Sequence, residues 1–139
     1  MKFKDIHIGN LIAQKTTENE IEKKRICNFL KCTEEEIAEM YQSKSLDAEL
    51  ILKWSKLLEY DFFRFYTQHL ILYAPKSAEY KTIKSELPQF RKNIYTKEVI
   101  DFILELIETG EKTKHQVIEE YNIPKTTLYK WIHKYKTNQ

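Results

Sequence analysis

The chain has 139 residues, of which 42% are hydrophobic and 13% aromatic, and a formal net charge of +2, so it has the apolar content to bury a core and is not a disordered chain. Its 2 glycines and 3 prolines compare with roughly 17 at average usage, which argues against turn-rich sandwiches and barrels and excludes any glycine-rich phosphate cradle. No uncharged run approaches the roughly 20 apolar residues of a membrane span, so an all-α, soluble chain with no membrane partner is predicted.

The helices are read in chain order. Ile8, Leu11, Ile12 and Lys15 recur at helical spacing and predict a first helix from about Ile6 to Thr16. A second is predicted over Ile21 to Lys31, with Ile26, Phe29 and Leu30 on one face. Thr33, with Glu36 as its capping-box partner, opens a third through Ile37, Met40 and Tyr41. Asp47 caps a fourth whose Leu50, Ile51, Trp54, Leu57 and Leu58 form a broad apolar stripe. Phe62, Phe63, Phe65, Tyr66, Leu70 and Ile71 make a short aromatic fifth helix.

Residues 74–94 hold Pro75 and Pro88 and an excess of Lys and Arg over acids. They read as a basic connector, with one helical turn around Ala78 to Ser85. Beyond it, Thr96 caps a helix bearing Val99, Ile100, Ile103, Leu104 and Ile107, which Gly110 closes in the left-handed region. Thr113 caps a short helix through Val117, Ile118 and Tyr121, Asn122 suits a left-handed turn, and Pro124 fits the first turn of a final helix. Leu128, Trp131, Ile132 and Tyr135 supply that helix's apolar side. The domains predicted are therefore 1–73, with five helices, and 95–139, with three, joined by the connector 74–94.

Lys114 to His133 has the layout of a helix-turn-helix, in which Val117, Tyr121, Ile123, Leu128 and Trp131 lock two helices at a steep angle. With those residues inward, Lys125, Thr126, Tyr129, Lys130 and His133 turn outward. After Glu120 no acid follows, while Lys125, Lys130, Lys134 and Lys136 do, so the tip is a concentrated cationic element. The candidate DNA-contacting residues are Lys114, Lys125, Thr126, Thr127, Tyr129, Lys130, His133, Lys134 and Lys136. Lysines suit phosphate, and the hydroxyl, ring and imidazole groups suit base edges. The run Ile123-Pro124-Lys125-Thr126-Thr127-Leu128-Tyr129-Lys130-Trp131 resembles the recognition helix of bacterial insertion-sequence transposases, homeodomain-like in fold. In this chain Pro124 replaces the usual Ser or Thr cap and Ile118 a common Ala. The resemblance implies a bacterial DNA-binding protein whose final helix enters the major groove.

Residues 6–71 resemble lambda-repressor-like (Cro/Xre-type) domains, through Ile8-Gly9-Asn10-Leu11-Ile12, Ile26-Cys27, Ile37, Met40 and the run Ser45 to Leu58. Lys31 stands where a turn glycine is common, and Cys27 is expected as a small buried hydrophobe. The helix in the recognition position reads Thr33-Glu34-Glu35-Glu36-Ile37-Ala38-Glu39. Four carboxylates facing a polyanion make a poor groove reader, although Lys23, Lys24 and Arg25 can touch phosphate. This domain is expected to serve dimerisation or partner binding instead.

No catalytic constellation emerges. Cys27 and Cys32 have no nearby His, and His7, His69, His115 and His133 are scattered, so no metal, cofactor, small-molecule ligand or enzyme activity is expected. The metal-dependent nuclease domain of a transposase needs well over about 100 residues of its own, so none is expected within these 139 residues. The start Met1-Lys2-Phe3-Lys4-Asp5 lacks a signal-peptide core, so a cytoplasmic location is expected. A regulator or transposition-related DNA binder is the leading expectation; an adaptor whose two helical modules bind only proteins is the alternative. A fragment spanning 95–139 is expected to bind duplex DNA weakly, and a 1–73 fragment to fold, self-associate as a homodimer and bind DNA poorly; gel shifts and analytical ultracentrifugation of both fragments check this.

Overall fold

The computed structural model describes residues 3–75, 85–88 and 95–136. The described residues contain helices and no strand: α1 (Ile8–Glu18), α2 (Lys23–Leu30), α3 (Glu34–Gln42), α4 (Ala48–Leu58), α5 (Phe63–Tyr73), α6 (Lys97–Glu108), α7 (Lys114–Tyr121) and α8 (Lys125–Lys136). The helical turn expected around Ala78 to Ser85 falls almost wholly outside them. The chain divides into two compact units, Met1–Thr67 and Gln68–Gln139. The division falls within α5.

In the first unit, α1 begins at Ile8 rather than Ile6 because His7 is its cap. The His7 Nδ1 accepts from the Asn10 N–H at 3.0 Å. The three neighbouring N–H groups are also satisfied: Ile8 donates to the Lys44 carbonyl and Gly9 to that of Ser43, both at 3.0 Å, and Leu11 to that of His7 at 3.3 Å. A helix start buried against another element needs such complete pairing. It also needs Gly9. A Cβ there would lie 2.4 Å from the Met40 carbonyl oxygen, 2.5 Å from that of Tyr41 and 2.6 Å from that of Ser43. Gly9 is thus the small residue at the close helix approach; Cys27, expected as a buried hydrophobe, is only half-buried against the core.

The core of this unit is Ile8, Ile12, Ile26, Leu30, Ile37, Ile51, Trp54, Leu57, Leu58 and Phe62. Trp54 donates its indole N–H to the Met40 sulfur at 3.3 Å, and Asn19 donates to the Leu58 carbonyl at 3.2 Å, satisfying the end of α4. Phe29 departs from the expected face and is exposed. The buried arc of α2 runs through Ile26, Leu30 and Cys27, and position 29 falls off its far side. The expected capping box at Thr33 is half-formed. Thr33 accepts from the Glu36 N–H at 3.2 Å, but the Glu36 carboxylate accepts from the Thr33 hydroxyl instead of reaching back to the backbone. Asp47 caps α4 as expected, accepting from the Leu50 N–H at 2.8 Å.

With so little glycine, other residues take the left-handed positions. Lys31 ends α2 at φ 55°, Glu59 ends α4 at φ 50°, and Glu20 turns between α1 and α2 at φ 53°. Lys31 therefore occupies a position that favours glycine, each such residue being strained by about 1–2 kcal/mol.

α5 is longer than expected, at 11 residues, and starts after Phe62. Its buried residues are Gln68 and Leu72, while Leu70, expected on the apolar face, is 63% exposed. Gln68, at 2% exposure, belongs to the second unit. Its side-chain oxygen accepts from the Thr96 N–H at 3.2 Å and the Thr96 hydroxyl at 3.4 Å. Thr96 in turn caps α6 by accepting from the Val99 N–H. The core of this unit takes Val99, Ile100, Ile103, Leu104 and Leu106 from α6; Leu106 is buried where Ile107 was expected, and Ile107 is half-buried. Gly110 turns at φ 78°, as the sequence predicts.

The two glycines respond differently to a methyl group. Gly9→Ala is expected to destabilise the first unit by about 1–3 kcal/mol or more, because backbone oxygens fill the space. Gly110→Ala meets nothing within 4 Å and is expected to cost only the roughly 1 kcal/mol of a left-handed Ala. Urea denaturation followed by fluorescence and circular dichroism checks the ranking.

Candidate nucleic-acid interface

The interface is built from α7, its turn and α8. Thr113 opens α7 with a complete capping box: it accepts from the Gln116 N–H at 3.1 Å, and its own N–H donates to the Gln116 side chain at 2.8 Å. Asn122 ends the helix at φ 56°, the left-handed turn expected from an Asn there. Pro124 stands one residue before α8 rather than within its first turn. It cannot donate, but its carbonyl accepts from the Leu128 N–H at 3.1 Å and closes the helix's first hydrogen-bonded ring.

Val117, Tyr121, Ile123, Leu128 and Trp131 are all buried, as the helix-turn-helix layout requires. Tyr95 meets Trp131 edge-on with ring centroids 4.8 Å apart. Tyr121 meets Phe102 at 6.2 Å and Tyr73 at 6.3 Å, also edge-on. Such pairs add directional support to burial. Burial pushes the Tyr95 and Tyr121 hydroxyls above the usual tyrosine range, so both rings stay neutral. The Tyr95 hydroxyl is buried without a hydrogen-bond partner among the described residues.

Anchoring Leu128 and Trp131 inward fixes what α8 shows outward. Lys125, Thr126, Tyr129, Lys130, His133 and Lys134 are exposed, and Lys114 is exposed at the start of α7. Thr127 is half-buried, on the flank of the helix rather than at the centre of its outer face. Lys136 closes α8, and its side chain lies outside the described residues. The Lys114 and Lys125 ammonium groups lie 5.4 and 5.7 Å from the Tyr129 ring centroid, within cation–π range. These contacts bring residues from the starts of both helices to one ring. The Lys134 ammonium lies over the Tyr135 ring at 5.4 Å.

α8 itself carries lysines and no acidic side chain. Glu120, the last acid in the sequence, is paired with Lys112, whose ammonium also lies 5.6 Å from the Tyr121 ring centroid. That hydrogen bond holds the Lys112 pKa above its usual value. In the first unit, Glu34, Glu35 and Glu36 occupy the first turn of α3 and are exposed, where the positive end of the helix dipole favours carboxylates. Lys23, Lys24 and Arg25 are exposed at the start of α2.

Sequence reasoning did not find Gln68 or Tyr95 as supports of this module. Both contact residues far along the chain, and neither carries a local signal. Among the described residues no group of His, Cys, Asp and Glu is arranged to hold a metal ion, and no helix is long and apolar enough to cross a membrane.

Residues 91–134 match the family described as the helix-turn-helix domain of resolvase. No curated protein and no solved structure matches the chain. The family match covers α6, α7 and α8 as far as Lys134, and a helix-turn-helix of this kind indicates DNA binding in general. Trp131→Ala is expected to destabilise the second unit by about 3–5 kcal/mol, as large buried aromatics do on truncation; loss of helical circular dichroism and a lower melting temperature check it. A variant that stays fully folded and loses only DNA binding would reassign Trp131 to the interface.

Proposed function

We infer that this protein binds double-stranded DNA by laying the exposed face of α8 in the major groove, as a transcriptional regulator or a transposition-related binder. These residues supply binding rather than strand cleavage. The observation that carries the reading is the division of α8 within a helix-turn-helix: Leu128 and Trp131 are buried, and Thr126, Tyr129, Lys130 and His133 are exposed at positions i, i+3, i+4 and i+7. One continuous outer stripe results, flanked by further lysines. Lys114, Lys125, Lys130, Lys134 and Lys136 are assigned to phosphate, and Thr126, Thr127, Tyr129 and His133 to base edges.

The N-terminal domain, whose residues 6–71 carry the resemblance to lambda-repressor-like domains, is assigned to homodimerisation. Two copies present two α8 helices, and bivalency raises apparent affinity by roughly 10²–10⁴ without a new base contact. The acidic α3 is unsuited to the groove.

A gel-shift titration across salt tests the reading. Duplex binding is expected to weaken with a log–log slope of about −0.9 per phosphate contact. Lys130→Ala and Lys134→Ala are each expected to reduce the slope by about 1 where that lysine touches phosphate. No shift at any salt concentration favours a protein-binding adaptor, and unchanged slopes in both variants remove α8 as the contact.

A further inference from the structure

The outer face of α8 joins two chemistries that rarely share a surface. Lys125, Lys130 and Lys134 make it cationic. On it lies an open depression lined by Thr126, Tyr129, Lys130, His133 and Lys134, and its exposed surface is almost wholly carbon. Lysine contributes apolar stems as well as charged ends, and the Tyr129 ring is 43% exposed. The Lys114 and Lys125 ammonium groups lie over the ring, within cation–π range.

Helix α8 reads Lys-Thr-Thr-Leu-Tyr-Lys-Trp-Ile-His-Lys-Tyr-Lys. It contains no Asn or Gln to make the bidentate contact to adenine and no Arg, so lysine is the one residue type on it that pairs with guanine. What it offers at the centre of its outer face is an apolar surface rimmed by cations. The rim selects a polyanion. Along the major-groove edges of that polyanion the bases present hydrogen-bonding atoms, and the apolar group among them is the C5-methyl of thymine.

We propose that this depression is a binding site for thymine C5-methyl groups, so that α8 selects duplexes by methyl contact rather than by bidentate hydrogen bonding. The proposal rests on the reading of α8 as the groove-entering helix. Thr126 and Tyr129 are its specificity-determining residues, and Lys130 contributes its stem to the wall and its ammonium to phosphate or guanine.

The experiment uses the full chain with two duplex probes, the alternating dA-dT copolymer and the alternating dA-dU copolymer. They have the same charge and the same hydrogen-bonding edges and differ in the methyl. Binding to the dA-dU probe is expected to be at least about fourfold weaker, the value of burying one methyl group, with an unchanged salt slope. Thr126→Ser removes a side-chain methyl and keeps the hydroxyl; it is expected to narrow the ratio, and Tyr129→Ser to bring it close to one. A dG-dC copolymer methylated at cytosine C5 is expected to bind more tightly than its unmethylated form. Equal affinity for the dA-dT and dA-dU probes, with salt-dependent binding intact, overturns the methyl site and leaves the DNA-binding reading standing. A ratio unchanged in both variants also overturns it. No binding to any probe overturns both together.

Discussion

The outward face of α8 depends on the burial of five side chains around one turn. Val117 and Tyr121 from α7, Ile123 from the turn, and Leu128 and Trp131 from α8 are all buried in the second unit. Leu128 and Trp131 are three residues apart on α8, so burying both leaves the helix no freedom to rotate about its axis. The stripe of Thr126, Tyr129, Lys130 and His133 is exposed as a direct consequence. Its chemistry is selected by whatever it touches; its direction is set by the core.

The supports behind that face come from farther along the chain. Gln68 accepts two hydrogen bonds from Thr96, which begins α6, and Tyr95 lies against Trp131. An amide buried in an apolar setting is costly unless paired, so the Gln68–Thr96 pair fixes where α6 starts as well as adding stability. Tyr73 and Phe102 both contact Tyr121, which places the end of α5 among the residues that hold α7. The module that presents α8 therefore draws on more than the three helices of the helix-turn-helix.

A scarcity of glycine shapes both units. The chain turns at Glu20, Lys31, Glu59 and Asn122 with positive φ, and only Asn122 among them is a residue type that tolerates this conformation well. Gly110 serves a turn, whereas Gly9 serves space, admitting the backbone of Met40 and Tyr41 against the start of α1. One residue type thus answers two different physical demands. His7 shows a comparable economy, acting as helix cap through its imidazole nitrogen rather than as a chemical group.

What the sequence by itself determined is local. Caps at Thr33, Asp47, Thr96 and Thr113, the left-handed turns at Asn122 and Gly110, and the inward set from Val117 to Trp131 all follow from interactions over three or four residues, whose spacing is written in the chain. The all-helical fold and the exposed basic stripe on α8 come from the same short-range periodicity. Only the tertiary structure decided that Gly9 is the point of closest approach, that Phe29 and Leu70 face outward, that Leu106 is buried, and that Gln68 and Tyr95 support the helix-turn-helix. Each of those depends on a partner roughly 30 residues or more away, or on which arc of a helix its neighbours leave open. Helical periodicity predicts that a helix has an apolar side; the angle of that side is fixed when another element packs against it.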